Sequence, residues 1–199
     1  MTIIRNAFLS LAAASTLALT SVACESGKQP ETPQTVQVTA AAPPSSTGGF
    51  TVGDTFGVLT SIHAAEVEHG NLAMQKANDP KVKDFAEKVV NDHKARMDKD
   101  SRLMSGLGVT PRDNSVSQQI KSAADQQTQR LSSMNGSDFD RAYIEEQINY
   151  YRSALDVFDR DLLPNARDPQ IRADIQDARA RANDHLKEAQ DLRLSLINK

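Results

Sequence analysis

The chain has 199 residues, 39% of them hydrophobic and 25% charged, a balance that suits one globular domain with a polar extension. A net charge of -3, a pI near 5.8 and the lack of a basic stripe interleaved with aromatics argue against nucleic acid as a partner. Phosphate loops and nucleophile elbows are also missing, and with one cysteine in the chain an ordinary hydrolase has no machinery to work with.

The first segment, MTIIRNAFLSLAAASTLALTSVAC, carries one early positive charge, Arg5, and then an apolar run from Ala7 to about Leu19 that ends in small residues. This is the pattern of an export signal over residues 1–23, too short and too broken by Ser and Thr to span a bilayer. Cys24 follows Ser21-Val22-Ala23, which resembles a bacterial lipobox with Ser21 where Leu is usual. The resemblance implies a lipid-modified Cys24 as the mature N-terminus, inserted in a membrane. Glu25 after it favours the outer membrane, facing the periplasm; Ser21-x-Ala23 also fits ordinary cleavage and a soluble periplasmic protein. Residues 24–49 then form the lipidated cysteine and a tether. ESGKQPETPQTVQVTAAAPPSSTGG is rich in Pro, Ser, Thr, Gln and Gly and has no apolar face to bury.

From Phe50 onward, residues 50–199, the punctuation is helical. Asp79-Pro80 and Asp168-Pro169 each put a capping aspartate before a proline at the first helical position. Ser115-Val-Ser-Gln118 matches a capping box, and Ser137 with Asp140 is a looser version. Gly106, Gly108 and Pro111 end one helix, and Leu163-Pro164 another. The predicted helices are 54–77, 80–106, 115–133, 137–162 and 169–197, with no strand: four long helices and a shorter one between them.

Each long helix has an apolar stripe interrupted by polar residues. The first runs Leu59, Ile62, Glu66, His69, Ala73, and the second Val82, Phe85, Ala86, Val89, His93, Met97. The fourth long stretch before the end runs Ile144, Ile148, Tyr151, Leu155, Phe158, Leu162, and the last Ile171, Ile175, Ala178, Ala182, His185, Ala189, Leu192, Leu196. Counting from the Asp-Pro turns, Glu66 and His93 sit about 20 Å from one turn, and Tyr151 and His185 about 27 and 24 Å from the other. Each pair should meet across its hairpin, which gives the fragment Asn-Asp-His, present before Lys94 and again before Leu186, one role in two hairpins. His63 falls beside its stripe and is expected at the surface; Met97, Met104 and Met134 are expected as core fillers.

Several of these stretches are similar to the bacterial family called domain of unknown function 4142. They are Ala65-Glu66-Val67-Glu68 with Gly70, Val82-Lys-Asp-Phe85-Ala86 leading to Asp92-His93, Phe139-Asp140-Arg141-Ala142-Tyr143, Leu162-Leu163-Pro164-Asn165-Ala166, and Asp184-His185-Leu186. The resemblance spans about Phe50 to Leu194. It implies an all-α, ferritin-like four-helix bundle with an additional shorter helix in the crossover connection, on exported proteins without an assigned reaction. Tyr151 stands where the resemblance leads one to expect a histidine.

The candidate metal site is Glu66, His69, His93, Tyr151 and His185, whose donor types suit Fe, Zn or Cu. Val90 and Ala182 stand three residues before His93 and His185, so the paired Glu-x-x-His of a standard di-iron centre is absent. The competing expectation is a polar layer in which Glu66 and Tyr151 satisfy the imidazoles. The sequence therefore points to an envelope lipoprotein acting as a binding or structural module. Metal-dependent redox or storage, or a protein-interaction face, are the alternatives; whether a reaction is catalysed, and whether the chain self-associates, stay open.

Overall fold

The computed structural model describes residues 50–197; the signal-like segment, Cys24 and the tether lie outside the described residues. The described residues form five α-helices: α1 (Val52–Lys76), α2 (Pro80–Leu107), α3 (Ser115–Ser132), α4 (Gly136–Val157) and α5 (Pro169–Ile197). Among the described residues there is no strand, as the periodicity predicts.

Local chemistry sets the ends. Thr51 and Asp54 close a reciprocal capping box on α1. Asp79 accepts from Lys81 N at the start of α2, and Asp168 from Gln170 and Ile171 N at the start of α5, each ahead of its proline. Helix α2 stops where Gly108 takes a left-handed φ of 63°. Two helix caps differ from expectation, although α3 itself starts at the predicted Ser115. The cap of α3 is Asn114, one residue earlier than Ser115, with Ser117 completing the box. Helix α4 begins at Gly136 behind an Asn135 whose side chain makes no capping bond. Its other end differs too: regular α-helix stops at Val157, and Phe158–Leu162 form a π-helical turn in which Leu163 N bonds Phe158 O at 2.9 Å. Pro164, which has no N–H, forces the chain out of the helix immediately afterwards.

Helices α1 and α2 form one antiparallel hairpin, α4 and α5 another. Helix α1 runs antiparallel to α4: Tyr150 OH donates to Ile62 O at 3.0 Å, while the Asn78 and Asp79 amides at the far end of α1 bond Asp140. Helix α2 runs antiparallel to α5, with Lys88 on Glu188 and Arg96 on Asp177. The second and third bundle helices, α2 and α4, therefore run the same way, and something must carry the chain back along the bundle. Helix α3 does so alongside α1, from the Asn114 Nδ2 bond to Asp54 O at one end to the Lys76 Nζ bond to Ser132 O at the other. One long crossover with a helix in it is the connectivity that ferritin-like bundles use.

The core is a continuous apolar cluster through all four bundle helices, with Phe56, Leu59, Phe85, Tyr143, Ile148 and Ile175 fully or almost fully buried. Met104 and Met134 pack partly buried against it, but Met97 is 36% exposed. The buried stripe of α2 continues from His93 through Arg96 and Asp100 instead. At 3.6 residues per turn Asp100, seven beyond His93, keeps the inward line, while Arg96 and Met97 fall on either side of it and Arg96 is the one turned to the α5 aspartates.

Candidate functional site

Midway along the bundle the four helices bring polar side chains into contact. From α1, His63 turns its Nδ1 to the His93 Nδ1 of α2, 2.9 Å away. The other His63 nitrogen, Nε2, lies 3.3 Å from Asp100 Oδ2, at ion-pair distance but without hydrogen-bond alignment. The His93 ring in turn stacks at 5.8 Å on His185 of α5, and His185 stacks at 5.5 Å on Tyr151 of α4. His185 Nε2 is 3.2 Å from Asp92 Oδ2, which reaches across from α2. The edge of Phe85 closes the remaining side of His185.

Two further groups flank this line of rings. Glu66 accepts a 2.6 Å hydrogen bond from Tyr151 OH and a longer one from Gln147 Nε2. Burial pushes the Glu66 carboxyl up to about 7, although both bonds favour its ionised form. The same burial, with Glu66 nearby, holds the phenols of Tyr143, Tyr150 and Tyr151 well above their ordinary range. On the opposite flank Arg96 reaches from α2 to α5. Its guanidinium lies 3.0 Å from Asp174 Oδ1, 2.6 Å from Asp177 Oδ2 and 3.6 Å from Asp100 Oδ1. A cavity of about 10 Å³ is lined by His63, His93, Arg96, Tyr151 and Phe158 among others, roughly the room one water needs.

Of the residues the sequence singles out, Glu66, His93, Tyr151 and His185 belong to this layer. His69 does not share it: although fully buried, it points to the crossover helix, where its Nε2 is 3.1 Å from Ala124 O. His63 corrects an expectation, since it is 2% exposed and sits at the centre of the layer. The stripe logic failed because α1 is enclosed by α2, α3 and α4 and buries 14 of its 25 residues. A helix covered on most sides has no free face for an off-stripe residue. The signal was there, since Leu59, His63, Glu66 and Gly70 step by four, three and four, a second helical stripe. Asp100 and Arg96 were missed through the Met97 register.

Chemically the layer holds more buried polar atoms than it pairs. His93 Nε2, both His185 nitrogens and Tyr143 OH are buried without a hydrogen-bond partner. Burial, then the neighbouring His63 and His185, then Arg96, hold His93 well below the ordinary imidazole value; burial lowers His185 too, against the pull of Asp92. Among the described residues no three His, Cys, Asp or Glu side chains converge in a way that would hold a metal ion.

Fold and layer together define an all-α bundle with a single helical crossover and an enclosed imidazole–carboxylate centre. The chain belongs to the family described as a domain of unknown function (DUF4142), whose model matches residues 34–192. That match begins 16 residues before Phe50, inside the stretch expected to be tether. No curated protein and no solved structure matches the chain.

Proposed function

We propose that this protein is a cell-envelope lipoprotein, anchored through Cys24 and facing the periplasm, whose bundle is a binding or structural module rather than a vessel for chemistry on an organic substrate. The observation that carries the second half is the enclosure of the polar layer. His63, Glu66, His93, Tyr151 and His185 are each no more than 5% exposed, and the cavity beside them, about 10 Å³, admits nothing larger than one water. An organic ligand would therefore meet the outer surface. The first half is supported by Cys24 after Ser21-Val22-Ala23 and by the polar, Pro-rich stretch behind it. Mass spectrometry of the mature N-terminus is expected to find a diacylated Cys24, and Cys24→Ser is expected to move the protein from the membrane to the soluble fraction. An unmodified Cys24 on a freely soluble protein rejects the anchor.

A second reading, transition-metal binding, is favoured by the unpaired buried nitrogens of His93 and His185. With His69 on the far side of α1, its donors reduce to Glu66, His93, Tyr151 and His185, and these do not converge on one point without rearrangement. Elemental analysis of protein purified from its native envelope tests it directly. A bound ion would also raise the melting temperature by RT ln(1 + [L]/Kd) in excess metal, and His93→Leu would remove the rise. No change with Zn, Fe, Mn or Cu, together with metal-free native protein, leaves the layer as a structural element.

A further inference from the structure

Where α1 and α5 begin, the end of the bundle holds a second cleft, of about 270 Å³, far roomier than the sealed space beside His93. Phe50, Val52 and Thr55 line it from the entry into α1, and Asn165, Arg167 and Ile171 from the connection into α5. Its wall is mixed. Phe50, Val52 and Ile171 supply apolar surface, while exposed Arg167 brings a guanidinium that forms no ion pair among the described residues.

Thr55 is the informative residue. It is only 3% exposed, and in a helix such a hydroxyl can donate to the carbonyl one turn back, as Ser61 does to Gly57 O at 2.9 Å. Thr55 makes no such bond: Thr51 O accepts its amide alone, and the hydroxyl has no partner among the described residues. An unpaired hydroxyl in a buried residue is costly, and the cleft is the side from which a partner can reach it.

We propose that this cleft binds a small monocarboxylate with an apolar tail. Its carboxylate sits between Arg167 and the start of α1, where the Thr55 hydroxyl donates to it, and its tail lies against Phe50, Val52 and Ile171.

The neighbouring groups select the charge. Thr51 Oγ1 caps the Asp54 amide, which leaves the Val52 amide unbonded at the positive end of α1. On the other wall Asp168 Oδ1 accepts from the Gln170 and Ile171 amides, so that carboxylate is turned to its own helix and Arg167 is the free charge of the cleft. Guanidinium, amide and hydroxyl are all donors, and a carboxylate is the acceptor that can use them together. Size limits the rest of the ligand, because the cleft falls below the roughly 300–1,000 Å³ of pockets for drug-sized molecules. The assignment rests on the reading of the bundle as a binding module, but not on the anchor at Cys24 or on metal.

The probe is hexanoate, followed by backbone amide NMR of the purified protein. Saturable shifts are expected at Val52, Thr55 and Ile171. Hexanamide, which lacks the charge, and acetate, which lacks the tail, should each bind at least about tenfold more weakly. Arg167→Gln replaces an exposed side chain and should leave the fold intact while weakening hexanoate about tenfold. Thr55→Val should weaken it less, and Arg172→Gln, an exposed guanidinium outside the cleft, should change nothing. N-acetyl-leucine separates the two sources of such a group: tighter binding than hexanoate supports the site as one for a peptide C-terminus, weaker binding as one for a free acid. Shifts that do not saturate, equal binding of hexanoate and hexanamide, or equal binding by wild type and Arg167→Gln overturn the proposal. Such a failure removes this site alone, since lipidation of Cys24 and metal content have their own measurements.

Discussion

Glu66 is a carboxyl in a place that disfavours its charge. Its rise from 4.5 to about 7 corresponds to roughly 3 kcal/mol of stability that is present below pH 4.5 and gone above pH 7. Glu66→Gln, which keeps an oxygen for Tyr151 OH, should therefore unfold at higher urea than wild type at pH 8 and match it near pH 4.5. A lower midpoint at pH 8 would mean that the carboxylate is held as an ion by the layer. Arg96 poses the reverse problem, a cation on which three aspartates depend. Arg96→Leu should destabilise by about 3–5 kcal/mol, because buried Asp100 loses its guanidinium and buried Asp174 keeps only the half-exposed Lys99. Lysine should not restore the loss, since one ammonium cannot span the fork to Asp174 and Asp177. Residues such as Glu66, His93, Tyr151 and His185 were legible in the sequence because each interrupts an apolar stripe at helical spacing. Asp92 and Asp100 were not, since a half-exposed or end-of-stripe aspartate looks like any solvated charge until its partner from another helix is in place.

At the scale of the elements, two glycines of α1 make unequal demands. A Cβ on Gly57 would lie 1.9 Å from the backbone oxygen of Arg112, in the α2–α3 connection, whereas one on Gly70 would meet a side-chain atom, Val90 Cγ2, at 2.5 Å and the Ala86 backbone oxygen at 3.1 Å. Gly57→Ala should thus destabilise by at least the 1–3 kcal/mol or so of overpacking, and Gly70→Ala by visibly less, as urea midpoints of the two variants will tell. Equal effects would show that the connection yields. Helix starts at Asp79-Pro80 and Asp168-Pro169 were readable because cap and proline act within a few residues. The start of α3 at Ser115 was readable, but its cap was assigned one residue late because Ser115, Ser117 and Asn114 all offer capping oxygens, and Asn114 alone is placed to take both the Val116 and Ser117 amides. The π-helical turn at Phe158–Leu162 has no pattern that distinguishes it from α-helix ahead of Pro164. It depends on how the end of α4 settles over the core, with Phe158 against the cavity beside His93.

For the molecule as a whole, the repeated Asn-Asp-His does not mark two equivalent units. Asp92 from the first copy crosses to His185 of the second, while Asp184 is exposed and His93 takes its partner from α1. The two hairpins are joined through one shared layer, and α3 stands outside it. That helix buries only Val116, Ser117, Ala124, Gln127 and Leu131 of its 18 residues, and its polar ties to α1 are few: its cap Asn114 to Asp54 O, Thr128 to Glu68, Ala124 O to His69 Nε2, and Ser132 O to Lys76. Local opening is easiest where few apolar contacts must be broken, so α3 should form a cooperative unit of its own, less stable than the four bundle helices. Native-state hydrogen exchange is expected to give α3 amides an opening free energy clearly below that of α1, α2, α4 and α5. Leu131→Ala should lower the α3 value further, by about 2–5 kcal/mol or until the helix is open outright, with little change in the central turns around His93 and His185. If α3 instead exchanges only with the global transition, the crossover is an integral wall of the bundle. His69, bonded to Ala124 O of α3 from inside α1, would then be the residue that makes it so.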